Sequence, residues 1–305
     1  MSHSSPDALQ QRCQQIVTSP ALSPEQKRHF LALEAENNLP YPALPEAARA
    51  ALDEGFICDM FEGHAPYKPR YVLPDYAKFL ANGSEWLELE GAKDLDDALS
   101  LLTILYHHVP SVTSMPVYLG QLDALLQPYV RILTQEEINS RIKRFWRYLD
   151  RTLPDAFMHA NIGPEDPPVT RAILRADAEL KQVAPNLTFI YDPAITPDDL
   201  LLEVAKNICE CSKPHISNGP VNDKIFTKGR YGVVSCYNSL PLAGGGSTLV
   251  RLNLKAIAEH STSMEDFFSR ALPHYCQQQM AIIDARCDFL YQQSGFFENS
   301  FLVKE

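Results

Sequence analysis

The sequence has 305 residues, of which 45% are hydrophobic and 21% are charged, and this is the composition of an ordinary folded protein with a sizeable core. Its 27 basic and 38 acidic side chains give a net charge of -11, which argues against a nucleic-acid-binding surface. The chain has no long apolar segment, no apolar signal segment and no disulfide-like pattern among its 7 cysteines, so we expect a cytoplasmic protein without a membrane partner.

The amino-terminal segment is polar and then rich in proline. Residues 1–24 contain many Ser and Pro residues and one short helical run at 9–17, which predicts a loosely held arm. Residues 38–74 are too apolar for a linker, and their X-Pro pairs disfavour helix before each proline. We therefore expect this stretch to lie against the folded body in extended and short helical pieces.

Three helices are predicted in the remainder of the first half. Asp94 is a capping residue in front of a run with helical apolar spacing. A second run covers residues 119–133 and is interrupted at Pro128. Thr134 and Glu137 have the spacing of a capping box in front of a third amphipathic helix.

The signals of the second half alternate between helix and strand. In chain order they predict helix 171–183, strand 186–191, a helix opening at Thr196, strands 231–237 and 248–254, and helices 255–260 and 264–293. Strands that alternate with helices are typical of an α/β barrel or a wound sheet.

Cys236 follows an apolar run and enters a loop that contains Pro241 and the glycines 244–246. Loops on a rigid scaffold often carry chemistry, so Cys236 could present a reactive sulfur to a substrate. The alternative is a small buried hydrophobic residue, and the residues alone leave both interpretations open. The glycines lack the lysine and the spacing of a phosphate-binding loop, which favours close passage of the backbone or positive φ angles.

Cys209, Cys211 and His215 form a C-x-C-x3-H pattern at the end of a predicted helix. A structural zinc site takes four ligands, commonly as two pairs, and no second pair of suitable spacing follows. Metal binding is therefore the less favoured interpretation and remains open. The sequence contains no GxSxG, HExxH or EF-hand pattern, which argues against a hydrolase or a simple metalloenzyme.

Two consecutive segments are similar to one known family. Residues 184–219 (APNLTFIYDPAITPDDLLLEVAKNICECSKPHISNG) resemble the part of glycyl radical enzymes in which a strand, a helix opened by Thr-Pro and a loop precede the active cysteine. Residues 231–259 (YGVVSCYNSLPLAGGGSTLVRLNLKAIAE) resemble the cysteine-loop segment of pyruvate formate-lyase-like, diol dehydratase-like and anaerobic ribonucleotide reductase-like members. The whole chain, including ICDMFEGHAPYKPRYVLPDY and TSMPVYLGQLDALL, is similar to the front part of the YjjI branch of that superfamily.

This resemblance implies an α/β fold and a radical chemistry. Members of the superfamily have a ten-stranded α/β barrel of two half-barrels, so we expect a mostly helical region followed by the first half of that barrel. Cys236 aligns with the cysteine that becomes a thiyl radical by giving its hydrogen to a glycyl radical and then takes a hydrogen atom from a small-molecule substrate. A radical-SAM activating enzyme installs the glycyl radical, so this partner is expected, and no cofactor is expected on the chain itself.

The residues next to Cys236 depart from two better-known branches. Dehydratase-like members have Glu two positions after the cysteine, whereas this chain has Asn238, which cannot usefully accept a proton near pH 7. Pyruvate formate-lyase-like members have two adjacent cysteines, and here the cysteine stands alone. The resemblance implies that Cys236 abstracts hydrogen and that Asn238, Asn218 and His215 line the substrate pocket, while the substrate and reaction type stay undetermined.

The family's glycine motif, an Arg-Val-x-Gly-Tyr type of sequence, does not occur in the 305 residues, which end in FLVKE. We therefore expect a truncated chain with an arm at 1–24 and an incomplete domain at 25–305. That domain is expected to be mainly helical over 25–165 and α/β over 166–305, with the cysteine loop at 231–254.

A truncated chain of this kind is expected to be inactive alone, because nothing in it stores the radical. The alternative function is that of a non-catalytic interaction protein. Half a barrel has an unpaired strand edge, through which the chain would pair with a full-length subunit or, as a homodimer, with a second copy.

Overall fold

The computed structural model describes residues 6–59, 67–109, 117–152, 158–234 and 238–299 as a mixed α/β protein with a parallel sheet. The chain divides into two compact units. Unit 1 comprises Met1–Arg70 and Ser247–Asn299, and the described part of unit 2 is Tyr71–Gly246. Within the described ranges, no helix combines the length and the apolar composition that a membrane span requires.

The strands are, in chain order, β1 (Ile57–Asp59), β2 (Tyr71–Leu73), β3 (Tyr118–Gln121), β4 (His159–Ile162), β5 (Asn186–Tyr191), β6 (His215–Asn218), β7 (Tyr231–Val234), β8 (Asn238–Pro241), β9 (Gly244–Gly246) and β10 (Val250–Leu252). The helices are α1 (Pro6–Thr18), α2 (Pro24–Asn37), α3 (Glu46–Asp53), α4 (Tyr76–Asn82), α5 (Leu95–His108), α6 (Leu122–Leu126), α7 (Gln135–Thr152), α8 (Pro168–Leu180), α9 (Asp198–Cys211), α10 (Gly219–Ile225), α11 (Leu254–Glu259), α12 (Met264–Asp266), α13 (Leu272–Gln292) and α14 (Phe296–Asn299). A 3-10 turn at Gln127–Tyr129 follows α6, and a π-helical turn at Phe267–Ala271 joins α12 to α13.

The amino-terminal arm of unit 1 is more helical than the sequence predicts. Helix α1 is longer than the predicted run 9–17, and an ion pair of 2.7 Å between Arg12 Nε and Glu34 Oε2 links it to α2. A capping box of Ser23 and Gln26 begins α2. Neither helix has a buried residue, so few apolar contacts hold the arm.

The core of unit 1 forms between elements that are far apart in the chain. Strands β1 and β10 pair antiparallel, and α3 and α13 pack beside them. The apolar residues buried there are Ala48, Ala51, Leu52, Phe56, Ile57, Val250, Ile257, Ala271 and Ile282. The prediction of extended and short helical pieces is confirmed by α3, β1 and β2 in the described parts of 38–74, which are 38–59 and 67–74.

The helices predicted from capping signals are confirmed in unit 2. The Asp94 side chain accepts a hydrogen bond of 2.9 Å from the backbone N–H of Asp97 at the start of α5. The Thr134 N–H donates to Glu137 Oε2 at 2.8 Å, and the Glu137 N–H donates to Thr134 Oγ1 at 3.3 Å. The face of α7 predicted to be buried is buried, with Ile138, Ile142, Phe145, Trp146 and Leu149 in the core.

A four-stranded parallel sheet in the order β3-β4-β5-β6 organises unit 2. Strand β5 coincides with the predicted strand 186–191. The helix predicted for 119–133 is wrong at its start, because residues up to Gln121 form β3. Strands β4 and β6 were not predicted from the sequence.

Two further strand pairs complete the described part of unit 2. Strands β7 and β8 form an antiparallel hairpin, and β2 pairs antiparallel with β9. A Cβ atom at Gly245 would lie 2.0 Å from the backbone oxygen of Tyr71. The interpretation that the 244–246 glycines let the backbone pass close to another segment is thus confirmed.

Candidate functional site

Cys236 lies outside the described residues, but the two strands that flank it are described. Strand β7 ends at Val234 and β8 begins at Asn238, and these two residues are paired in the register of the hairpin. The site can therefore be built from the β7-β8 hairpin and from the sheet against which β7 packs.

The parallel sheet has one apolar face and one polar face. In β5, Leu187 and Phe189 are buried in the main core of unit 2. The alternate residue Ile190 instead clusters with Tyr231 and Val233 of β7. We call the side of the sheet that carries Ile190 the hairpin face, and by strand register it presents Tyr118, His159, Asn161, Thr188, Ile190, His215 and Ser217.

Asn161 ties strand β7 to this face. Its Oδ1 accepts a hydrogen bond of 2.8 Å from the Val233 N–H, and its Nδ2 donates one of 2.9 Å to the Val233 carbonyl. The Tyr118 hydroxyl donates to Asn161 Oδ1 at 3.1 Å. The buried amide side chain thus takes the place of a neighbouring strand for one peptide unit of β7.

Gly232 allows the ring of Tyr118 to lie against β7. A Cβ atom at Gly232 would be 2.4 Å from Tyr118 Cζ, which is closer than any side chain permits. Burial raises the pKa of Tyr118 well above its ordinary range, so the hydroxyl stays protonated and remains a donor to Asn161.

The other strand of the hairpin is linked to the sheet through α10. Ser239 Oγ donates to Asn222 Oδ1 at 2.8 Å, and Asn222 Nδ2 donates to Ser217 Oγ at 3.0 Å. Val233 and Ser239 are equally spaced around Cys236 in the sequence. Side-chain hydrogen bonds therefore fix both arms of the hairpin close to the cysteine.

The two histidines of the hairpin face are neutral at pH 7. Burial, and then the neighbouring His215, lower the pKa of His159 to about 4. Burial, and then the charge of Lys213, lower the pKa of His215 below its ordinary value. Between their strands, Thr188 is 1% exposed, and its Oγ1 has no hydrogen-bond partner in the part of the chain that the structure describes.

The three residues predicted to line the substrate pocket differ in exposure and in their contacts. His215 is half-buried on the hairpin face, at the register level of Thr188. Asn238 is exposed at the start of β8. Asn218 is also exposed, and its side chain caps α10 by accepting a 3.1 Å hydrogen bond from the Val221 N–H.

The C-x-C-x3-H pattern does not form a ligand set. Cys209 is exposed, whereas the Cys211 thiol donates to Asp177 Oδ2 at 3.2 Å. Burial, and then the Asp177 carboxylate, raise the pKa of Cys211 to about 11. Within the described ranges, no three His, Cys, Asp or Glu side chains come together as they would around a metal ion.

A buried ion pair supports the start of β6. The Lys213 ammonium lies 2.7 Å from Asp177 Oδ1 and also donates to the carbonyls of Gln182 at 2.9 Å and Pro185 at 3.2 Å. Trp146 Nε1 donates to Asp177 Oδ1 at 3.1 Å. These contacts join α7 and α8 to the segment that leads into His215.

The buried side chain of Asp123 supports the segment that follows β4. The carboxylate accepts hydrogen bonds from the Gly163 N–H at 2.6 Å and from Thr170 Oγ1 at 2.8 Å. Burial raises the pKa of Asp123 to about 6 although these donors favour its ionised form. Asp123, Asn161 and Thr188 were all missed from the sequence, where each is an isolated polar residue.

The chain is similar to one protein family and to two longer proteins. The family model described as glycyl radical enzyme YjjI-like matches residues 22–305. The protein YjjI of Escherichia coli strain K12 is 89% identical over 305 residues, which are 100% of this chain and 59% of that protein. A protein of Haemophilus influenzae strain Rd is 44% identical over 254 residues, which are 83% of this chain and 49% of that protein. The chain thus spans about half of these relatives.

Solved structures with a similar fold are those of an anaerobic ribonucleotide reductase from Thermotoga maritima. The complex with dATP and CTP has a TM-score of 0.65 and 14% sequence identity, and the alignment covers 93% of this chain and 53% of that one. The structure with glycerol in its active site has the same TM-score and identity and covers 96% and 53%. At this identity the similarity shows the fold, and it confirms the expected relation to the glycyl radical enzyme barrel.

The family match covers nearly the whole chain, and the fold agrees with it. The chain therefore belongs to the YjjI-like family of glycyl radical enzymes.

Proposed function

We propose that this chain is the cysteine-bearing part of a cytoplasmic glycyl radical enzyme, in which Cys236 abstracts a hydrogen atom from a small organic substrate. The glycine that stores the radical belongs, in this proposal, to a further segment, because the family's glycine motif does not occur in the sequence. The longer relatives leave room for such a segment. The chain alone is then inactive.

The proposed chemistry consists of two hydrogen-atom transfers. In the first, the S–H bond of Cys236 breaks and a C–H bond forms at the glycyl radical, which leaves the unpaired electron on sulfur. In the second, a substrate C–H bond breaks and the S–H bond forms again. A radical-SAM activating enzyme supplies the initial oxidation of glycine under anoxic conditions.

The anchoring of the hairpin is the observation that carries this proposal. A thiyl radical must meet its substrate in a fixed position and away from water. The two hydrogen bonds between Asn161 and Val233 hold β7 against the sheet just before Cys236. The hairpin face beside it is largely buried and has no ionised side chain in its strands.

Among the residues proposed to line the substrate pocket, His215 has the strongest support, because it lies on the hairpin face. Asn238 is proposed to contact substrate from the start of β8, two positions after the cysteine. Asn218 is proposed to contribute through the cap that it forms on α10.

Exchange of hydrogen with solvent tests the role of Cys236 without knowledge of the substrate. The chain is co-expressed with the carboxy-terminal remainder of the Escherichia coli relative and is activated anoxically by a radical-SAM activase. A glycyl radical has one α-hydrogen, whose coupling splits the electron paramagnetic resonance signal into a doublet. In D2O, a thiol that exchanges its hydrogen with solvent delivers deuterium to the glycine, and the doublet collapses.

We expect the doublet to collapse in the unmodified complex and to persist in Cys236→Ser, because the serine O–H bond is too strong to give up its hydrogen. Cys209→Ser is the matched control, since Cys209 is exposed and lies outside the hairpin, and it should behave as the unmodified complex. Collapse of the doublet in Cys236→Ser, or its persistence in the unmodified complex, would contradict the proposal.

A second candidate function is that of a non-catalytic partner of a longer subunit. The observation that favours it is the edge of the described sheet, where Ile216 of β6 is 55% exposed and Val221 and Ile225 of α10 are exposed nearby. Unpaired strand edges bind other chains. Native mass spectrometry of this chain mixed with the Escherichia coli relative should show a mixed complex that Ile216→Lys abolishes; the absence of any mixed complex rules this function out.

A further inference from the structure

The Thr188 side chain lies on the hairpin face between the side chains of Asn161 and His215. Thr188 pairs in register with Asn161 on one side and with His215 on the other, so the three side chains lie at one level of the sheet. Asn161 is bound to Val233 and Tyr118, and Ser217 is bound to Asn222. Thr188 Oγ1, in contrast, is buried and has no hydrogen-bond partner in the described ranges.

A hydroxyl of this kind lowers the stability of the fold. A buried polar group without a partner has lost its hydrogen bonds to water and has gained none from the protein. Valine has the same shape as threonine and would fill the position without this loss. Retention of the hydroxyl is therefore best explained by a partner that is not part of the chain.

The surroundings of Thr188 define what that partner can be. None of the side chains that form the hairpin face is Lys, Arg, Asp or Glu. The nearby ammonium of Lys213 is bound to Asp177 and to two carbonyls behind β6. A carboxylate or phosphate placed here would lose its hydration without gaining a cation from the four described strands of this face, whereas a hydroxyl or carbonyl group would find neutral donors and acceptors.

We propose that Thr188 and His215 form a subsite on the hairpin face that binds a hydroxyl or carbonyl oxygen of an uncharged substrate group. This inference rests on the proposed function, because it takes the molecule at this subsite to be the substrate of Cys236. Thr188 is then a residue that determines specificity for an uncharged group over an anionic one.

Binding of simple probes to the full chain tests the subsite without radical chemistry. Saturation-transfer NMR is recorded with glycerol, erythritol and ribose, and with the anionic counterparts glycerate, erythronate and ribose 5-phosphate. We expect at least one neutral probe to bind more tightly than its anionic counterpart. Thr188→Val should weaken that binding about tenfold, as the loss of one well-placed hydrogen bond does, and Thr188→Ser should retain it.

Stability provides the second readout, because a structural role and a binding role of Thr188 predict opposite changes. Thr188→Val should be at least as stable to urea as the unmodified chain, since no hydrogen bond within the described structure is lost. A less stable Thr188→Val, unchanged probe binding in that variant, tighter binding of the anions, or no binding of any neutral probe would each overturn the subsite.

The test of the Thr188 subsite can be distinguished from the test of the role of Cys236. Cys236→Ser should bind the neutral probe as the unmodified chain does, because the sulfur is not needed for binding. Failure of the subsite with a normal collapse of the glycyl doublet would refute Thr188 alone, and a normal subsite without collapse would refute the role of Cys236 alone.

Discussion

Replacement of Asn161 by leucine is expected to destabilise unit 2 strongly. Leucine has a similar volume but cannot hydrogen-bond, so the N–H and carbonyl of Val233 and the hydroxyl of Tyr118 would all lose their partner. Asn161 and Tyr118 are each 1% exposed, so water cannot take the place of the lost amide group unless the structure rearranges. Each orphaned buried group costs about 1–3 kcal/mol, so the three together should cost about 3–9 kcal/mol.

Tryptophan fluorescence during urea unfolding measures this loss in unit 2 alone. The sequence has 2 tryptophans, and both, Trp86 and Trp146, lie in unit 2. With a denaturant dependence of about 2 kcal/mol per M, the midpoint should fall by roughly 1.5–4.5 M. Amide hydrogen exchange of the 231–234 segment should also accelerate, because Val233 N–H loses its acceptor.

Thr188→Val is the matched control for this experiment. It removes a polar atom that is equally buried on the next strand but that has no partner in the described structure, so its midpoint should not fall. A midpoint of Asn161→Leu within about 0.5 M of the unmodified protein would show that Asn161 does not hold β7. An equal loss in the control would show that the hydrogen bonds are not the cause.

Two further predictions concern buried charges of unit 2. Lys213→Met should cost about 3–5 kcal/mol of stability, because it leaves the Asp177 carboxylate buried without its cation. The double variant Lys213→Met with Asp177→Asn should recover most of this loss. Equal urea midpoints for the single and the double variant would contradict this reasoning. The folded-state pKa of Asp123 is raised to about 6, so its carboxyl group binds a proton more tightly in the folded than in the unfolded state. The stabilisation that results is fully present below about pH 4, and it is lost as the pH rises through about 6. Asp123→Asn should therefore flatten the dependence of the urea midpoint on pH between about 4 and 7, and a profile parallel to that of the unmodified protein would argue against a raised pKa.

The parts of the fold that could be predicted are those with a strong local signal. Helices α5 and α7 begin at capping residues and carry apolar side chains at helical spacing. Strand β5 is a nearly continuous apolar run. In these elements the local preference and the tertiary environment agree, so a single window of sequence is sufficient.

Strands β3, β4 and β6 carry no such signal, because they are short and have polar residues on one face. Each has only four residues, and the positions on the hairpin face are polar or glycine, as in the sequences HANI and HISN. Burial of both faces of a sheet usually requires apolar residues on both. Here the hairpin face carries polar side chains, two of which hydrogen-bond towards the hairpin, so these short strands lack the apolar pattern of a buried strand.

The candidate site could be found only through the resemblance. Residue spacing around Cys236 left both interpretations, a reactive sulfur and a buried hydrophobic residue, open. The importance of Asn161 and Thr188 depends on which residues of neighbouring strands lie at the same level, and this register is a property of the assembled sheet. No local pattern in the sequence contains that information.

The pairing of β1 with β10 has a consequence for synthesis on the ribosome. Asn253 Nδ2 donates to the carbonyl of Gly55, a residue 198 positions earlier, so the apolar side chains of α3 and β1 emerge long before the segments that cover them. At about 5–20 residues per second, the interval is roughly 10–40 s. During this time the apolar side chains of Leu52, Phe56 and Ile57 have no partners from β10 and α13 to cover them.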